Sequence, residues 1–139
     1  MAKTSTPAFT QNILNSGTTF VTTDQSTYKV IAMAGANDSR VVHISIATDD
    51  NLGNTAFFAI RKSGVDYPLS WVAIPSFSGY DGTADIVEAL IATTFLHRQI
   101  DNNANPYFEL QAGLELVMRL QNPVSVAKTL WVLVTQEDY

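Results

Sequence analysis

Arg40-Val41-Val42-His43-Ile44-Ser45-Ile46-Ala47-Thr48 is the stretch on which the fold turns. Apolar and polar residues alternate along it, so that Val42, Ile44 and Ile46 fall on one face of an extended chain and Val41, His43 and Ser45 on the other. A period of two sustained over that length predicts a half-buried strand. Upstream lie a turn cluster, Gly35-Ala36-Asn37-Asp38, and two β-branched or alternating runs, Thr18–Thr23 and Tyr28–Ala34. Downstream, Asp49-Asp50-Asn51-Leu52-Gly53 is a turn. The strands Thr55–Lys62 and Tyr67–Ile74 then flank Ser63-Gly64-Val65-Asp66 as a hairpin. Pro68 has no amide hydrogen for a ladder, which assigns it to a strand start or an edge.

Further along, Ile86, Val87, Leu90 and Ile91 recur at helical spacing behind Thr83 and Asp85, predicting a helix of two or three turns within Asp85–His97. Asp101–Asn105 is a loop by composition. Tyr107–Leu110, Leu114–Gln121 and Ser125–Thr135 follow as strands, with Leu114, Leu116, Met118 and Leu120 on one face of the second. Residues 1–17 are rich in Thr, Ser, Asn and Gln and too polar to stand as an element, so they read as a flexible N-terminal arm. The expected fold is all-β: an antiparallel β-sandwich or jelly roll of about eight strands with one short helix, forming a single domain over residues 18–139.

The 139 residues carry 8 Lys and Arg against 13 Asp and Glu, a net charge of −5, and are 46% hydrophobic. Enough apolar surface exists for a core. Only 15% of the residues are charged, well under the usual quarter or so, so the surface is polar but weakly charged. With cations scattered and a pI near 4.7, nothing resembles the basic stripe that neutralises nucleic-acid phosphates or docks on anionic lipid. The absence of cysteine excludes disulfides, thiol catalysis and thiolate metal sites. No apolar run reaches membrane-span length and no signal peptide follows Met1, so the expectation is a soluble chain made in the cytoplasm.

Catalytic motifs are missing. Neither His43 nor His97 has a partner at metal-ligand spacing. Asp101, Asn103 and Asn105 match positions 1, 3 and 5 of a calcium loop, but Pro106 stands where the sharp turn needs Gly and Ala112 where a bidentate Glu belongs. Asp81, Asp85 and Glu88 offer carboxylates for glycoside hydrolysis at no distinctive spacing. Ser78–Thr83 bears glycines without the lysine of a phosphate loop and reads as a mobile connection. No metal and no cofactor is expected. Tyr67, Trp71, Phe77 and Tyr80 crowd one stretch; they suit packing or an interface, and alternatively a sugar-stacking platform built on Tyr67, Trp71 or Tyr80.

In their order, several of these segments resemble a family. Thr18-Thr19-Phe20-Val21-Thr22, Ala34–Arg40 leading into the alternating strand, Gly64-Val65-Asp66-Tyr67, Asn105-Pro106-Tyr107, Leu110–Gly113, Ala127-Lys128-Thr129 and the ending Asp138-Tyr139 are similar to small phage and prophage structural proteins often encoded among head genes. The resemblance spans most of residues 18–139. It implies a non-enzymatic virion component that binds and stabilises the capsid surface as a decoration protein. Its implied partners are the major capsid protein and further copies of itself, a homotrimer being the expected closure of exposed sheet edges. Phe9, Ile13 and Leu14 of the arm, with Trp71, Phe77 and Tyr80, are the residues expected at capsid or self-association contacts. The arm itself is expected to order on a neighbour.

Overall fold

The computed structural model describes residues 12–139. These residues form ten strands: β1 (Asn12–Phe20), β2 (Lys29–Met33), β3 (Ser39–Thr48), β4 (Asn54–Lys62), β5 (Val65–Ile74), β6 (Val87–Glu88), β7 (Gln99–Ile100), β8 (Pro106–Leu110), β9 (Glu115–Leu120) and β10 (Leu130–Asp138). They form two antiparallel sheets. Sheet A runs β1-β10-β3-β8-β7, with β6 also paired to β3, and sheet B runs β2-β9-β4-β5.

The pairing is nested. β4 pairs with β5, β3 with β8, β2 with β9 and β1 with β10, so the chain is one long hairpin folded back on itself. Rolling that hairpin up adds the contacts β10 to β3 and β9 to β4 and separates successive pairs into the two sheets. This is a jelly roll of eight principal strands, as the sequence predicts. The closed innermost hairpin has Lys62 opposite Val65, leaving Ser63 and Gly64 as a two-residue loop with φ of 51° and 79°. Two successive positive φ values define the turn whose twist matches that of the strands.

Between the sheets lies one core, to which Phe20, Ile44, Ile46, Phe58, Ile74, Met118, Leu120, Leu130 and Val132 contribute. The alternation of β3 is not unbroken, however. Opposite the adjacent residues Thr135 and Gln136 of β10 stand His43 and Val41, so Val42 is an extra residue. This bulge reverses the phase: Ser39 and Val41 point inward before it, Ile44, Ile46 and Thr48 after it, and Val42 is only half-buried. The expected shared face of Val42, Ile44 and Ile46 is therefore corrected at Val42, whose neighbour Val41 fills the core instead. Pro68 lies in the edge strand β5, next to a second bulge at Leu69. In β9, Leu116, Met118 and Leu120 share the core face, and Leu114 packs against the core just ahead of the strand.

Two further expectations change. The helix placed over Asp85–His97 is reduced to the two residues of β6 and a single 3-10 turn at Ala89–Ile91. Leu90 and Phe95 are buried while Ile86 and Ile91 are exposed, a division no regular helix over this segment would give. Phe95 enters the core edge-on to Phe58 at 5.3 Å, and Arg98 donates to the carbonyls of Ala92 and Phe95 at 2.7 Å each, fixing an irregular path. The second change is at the N-terminus. Residues 12–17 are not an arm but part of β1, whose nine residues pair with β10 in continuous register. Ile13 and Leu14 thus belong to a strand, and Phe9 lies outside the described residues.

Candidate interaction surfaces

The outward face of sheet A is graded from apolar to charged. β10 presents Trp131, Leu133, Thr135 and Glu137 in turn. Across from them on β1 are Thr19, Gly17, Asn15 and Ile13, and on β3 Ala47, Ser45, His43 and Arg40. At the apolar end Tyr80 reaches over from the segment after β5 and stacks on Trp131, ring centroids 6.2 Å apart and 15° from parallel. Both rings stay substantially exposed, as does Leu133. At the charged end the Arg40 guanidinium donates to Glu137 at 2.6 and 3.2 Å and lies 5.1 Å over the Tyr107 ring. Arg40 and Glu137 form one wall of a cleft of about 400 Å³, with His43, Glu88, Asp101 and Tyr107 also around it.

Tyr80 is held over Trp131 by a pinned loop. Thr48 donates to the Ser78 carbonyl at 2.9 Å, Phe77 to the Asp50 carbonyl at 2.9 Å, and Gly79 to the Ala84 carbonyl at 2.9 Å. Ser78 is buried. Gly79 has φ of +67°, and a Cβ there would meet the Ile86 backbone at 3.1 Å, so only glycine suits both the conformation and the space. The Ser78–Thr83 connection expected to be mobile is in this way tied to the end of β3.

Sheet B carries a different outward face. Arg119 of β9 lies 4.3 Å over Phe57, its cross-strand partner, and 5.6 Å over Tyr28. Trp71 stands opposite Phe57 on the other side, at 46% exposure. The row Tyr28, Arg119, Phe57, Trp71 therefore crosses the whole sheet, held by cation–π attraction and cross-strand packing. On the same face Ala59 and Val117, paired with one another, are fully buried, although they sit outside the core between the sheets.

The aromatic residues that are neighbours in sequence do not converge. Trp71 belongs to the outward row of sheet B and Tyr80 to the outward face of sheet A. Tyr67 pairs with Ile60 on the core side of the edge strand, and Phe77 is half-buried with φ of 55°. A common platform from Tyr67, Trp71 and Tyr80 does not form. What the fold joins instead is Tyr80 with Trp131, and Arg119 with Phe57 and Tyr28. Sequence distance hid both, and the apolar residues at both parities of Leu130-Trp131-Val132-Leu133 were the available signal that β10 is apolar on both faces.

The chemical candidates are dispersed as well. The Asp101 carboxylate accepts from the N–H groups of Asn103 and Asn105 at 2.8 and 2.9 Å, an Asx turn that uses its oxygen within the loop. Asp81 likewise accepts from the Thr83 N–H at 2.9 Å, and hydrogen bonding from the Thr83 side chain and backbone holds its carboxyl below the ordinary range. Glu88 lies by the cleft, apart from that turn, and Asp85 is exposed. His97 shares a hydrogen bond with Ser70 at 3.1 Å, and His43 stands opposite Thr135 on the outward face of sheet A. Among the described residues there is no cluster of three potential metal ligands, and no helix is long and apolar enough to cross a membrane.

No family model and no curated protein matches the chain. Among solved structures it is similar to a chain of the cyanophage Pam1 capsid asymmetric unit, at 16% identity and a TM-score of 0.47, the match covering 99% of this chain and 94% of that one.

Proposed function

We propose that the chain is a non-enzymatic phage virion structural protein that decorates the capsid, binding the major capsid protein through the outward face of sheet A. The observation that carries this reading is the exposed trio Trp131, Leu133 and Tyr80. Large apolar side chains presented together on one central strand and a pinned loop are what an interface core requires, because they are already rigid before the partner arrives. The sequence resemblance over residues 18–139 and the jelly roll support the same class of protein. The weakly charged surface is consistent with it, since function then resides in a modest binding free energy repeated over many identical sites.

The test is co-sedimentation of the purified chain with capsids built from its cognate head protein, followed by electron cryomicroscopy of the decorated particles. Saturable binding that falls about thirtyfold in Trp131→Ala is expected, equivalent to about 2 kcal/mol for a buried aromatic anchor. Absence of binding overturns the reading. The row ending in Trp71 on sheet B favours a second reading, a carbohydrate-binding module of a tail or fibre. Glycan-array binding lost in Trp71→Ala and retained in Trp131→Ala selects that alternative.

A further inference from the structure

Three longer strands end the sheets: β1 in sheet A, and β2 and β5 in sheet B. Two of them are interrupted. β5 contains Pro68 and the bulge at Leu69, and β2 has five residues with an extra one at Ile31. Such features discourage another strand from adding to an edge. β1 has none of them. Its nine residues, NILNSGTTF, include no charge and no proline, pair with β10 without a bulge, and have no strand on the other side among the described residues.

The direction of its backbone groups follows from one contact. Lys29 of β2, outside sheet A, donates to the Thr19 carbonyl at 2.6 Å, so Thr19 turns its backbone groups away from β10. Alternate residues of an antiparallel strand share that direction. Ile13, Asn15 and Gly17 therefore offer N–H and C=O to the free side, whereas Leu14, Ser16 and Thr18 bond to β10.

We propose that this edge pairs with β1 of a second copy of the chain, antiparallel about a twofold axis at Asn15, to make one sheet continuous through both molecules. An isologous contact must be complementary to itself, and β1 is. Having no charge, it repels nothing in its own copy. In this register Ile13, 69% exposed, lies opposite the partner's Gly17. A Cβ at Gly17 would meet nothing within 4 Å, and Gly17 is the cross-strand neighbour of Leu133. The isoleucine thus enters an open notch bordered by a leucine, twice per dimer. The edge amides that face away from β10 gain partners in the same step. The stoichiometry is two, where closure as a trimer was expected from sequence.

Sedimentation equilibrium of the purified full chain tests this without any capsid, so the outcome is independent of the proposed decoration role. The expected mass is twice the 15.2 kDa of one chain. Asn15→Pro removes a free-side N–H while leaving the β1–β10 bonds, and Ile13→Lys places two cations at the contact; each is expected to weaken the dimer at least tenfold, with the monomer fold retained by circular dichroism. Should a variant fail to fold, hydrogen exchange of the unaltered chain decides: the Ile13, Asn15 and Gly17 amides are protected at high concentration and exposed on dilution. A single-chain or threefold mass at all concentrations, a dimer indifferent to both substitutions, or exchange at those amides that ignores concentration overturns the proposal.

Discussion

A methyl group on Gly35 would stand 2.9 Å from the carboxyl carbon of Asp138 and 3.0 Å from one of its oxygens. That carboxylate is not free to swing aside. It accepts from the Ser39 hydroxyl at 2.5 Å and from Gln136 Nε2 at 2.9 Å, and the same hydroxyl accepts from the Gly35 N–H at 2.7 Å. Gly35→Ala is therefore expected to destabilise the fold by about 1–3 kcal/mol through overpacking. Thermal unfolding measures it, at about 4 °C per kcal/mol for a chain of this size.

Asp50, buried in the turn after β3, joins segments far apart in sequence. Ser125 donates to it through both its N–H and its hydroxyl, at 2.8 Å each, and the Leu52 N–H adds a third bond at 3.0 Å. Asp50→Ala leaves those donors without a partner and is expected to cost about 2–4 kcal/mol in a denaturant titration.

The same carboxylate gives an acid limb to stability. Burial pushes the Asp50 pKa up, but the hydrogen bonds from Ser125 and Leu52 outweigh it and leave the group below the ordinary 3.8. A folded-state pKa below the unfolded one means that the contribution is full above about pH 4 and is lost as pH falls through the lower value. Melting temperature in the folded chain should decline through that acid range, and Asp50→Asn should flatten the decline.

At the alkaline end Tyr139 behaves inversely. Burial and the hydrogen bond its hydroxyl donates to Glu109 at 3.0 Å push its pKa up to about 12 from 10.0. Its contribution is complete below pH 10 and disappears as pH rises toward 12. Tyr139→Phe should remove one late-titrating phenol from the absorbance titration and reduce the alkaline loss of stability.

Phe95 holds the irregular segment between β5 and β8 to the core, edge-on to Phe58 and 6.0 Å from Phe108. Phe95→Ala should cost about 3–5 kcal/mol. Amide exchange should accelerate from Ala89 to Arg98 more than in β4 or β9.

How far this architecture could be read beforehand depended on which forces left a trace in residue order. Most strands were legible because one side faces the core and the other does not, which imposes period two. The bulge at Val42 was not, because two adjacent valines satisfy either phase and the pairing with Thr135 and Gln136 decides between them. β1 lacks the pattern altogether; as an edge strand exposed on much of both faces, it needs no alternation, and its polar residues imitate an arm. The false helix arose because Ile86, Val87, Leu90 and Ile91 have helical spacing, while the burial of Leu90 and Phe95 selects another path. The surfaces were least legible of all. Tyr80 meets Trp131 and Arg119 meets Phe57 only after the chain has been rolled up.

The nested order of pairing also sets a schedule for the molecule's formation. β10 lies between β1 and β3, so the middle of sheet A stays vacant until residues 130–138 have been synthesised. The hairpin of β4 and β5 can close early, since only two residues separate its strands. Each outer pair then spans a longer loop, and joining β1 to β10 bridges nearly the whole described chain. A nascent chain therefore carries two strand edges, those of β1 and β3, that only its final segment can pair, and slow, late completion is built into the topology itself.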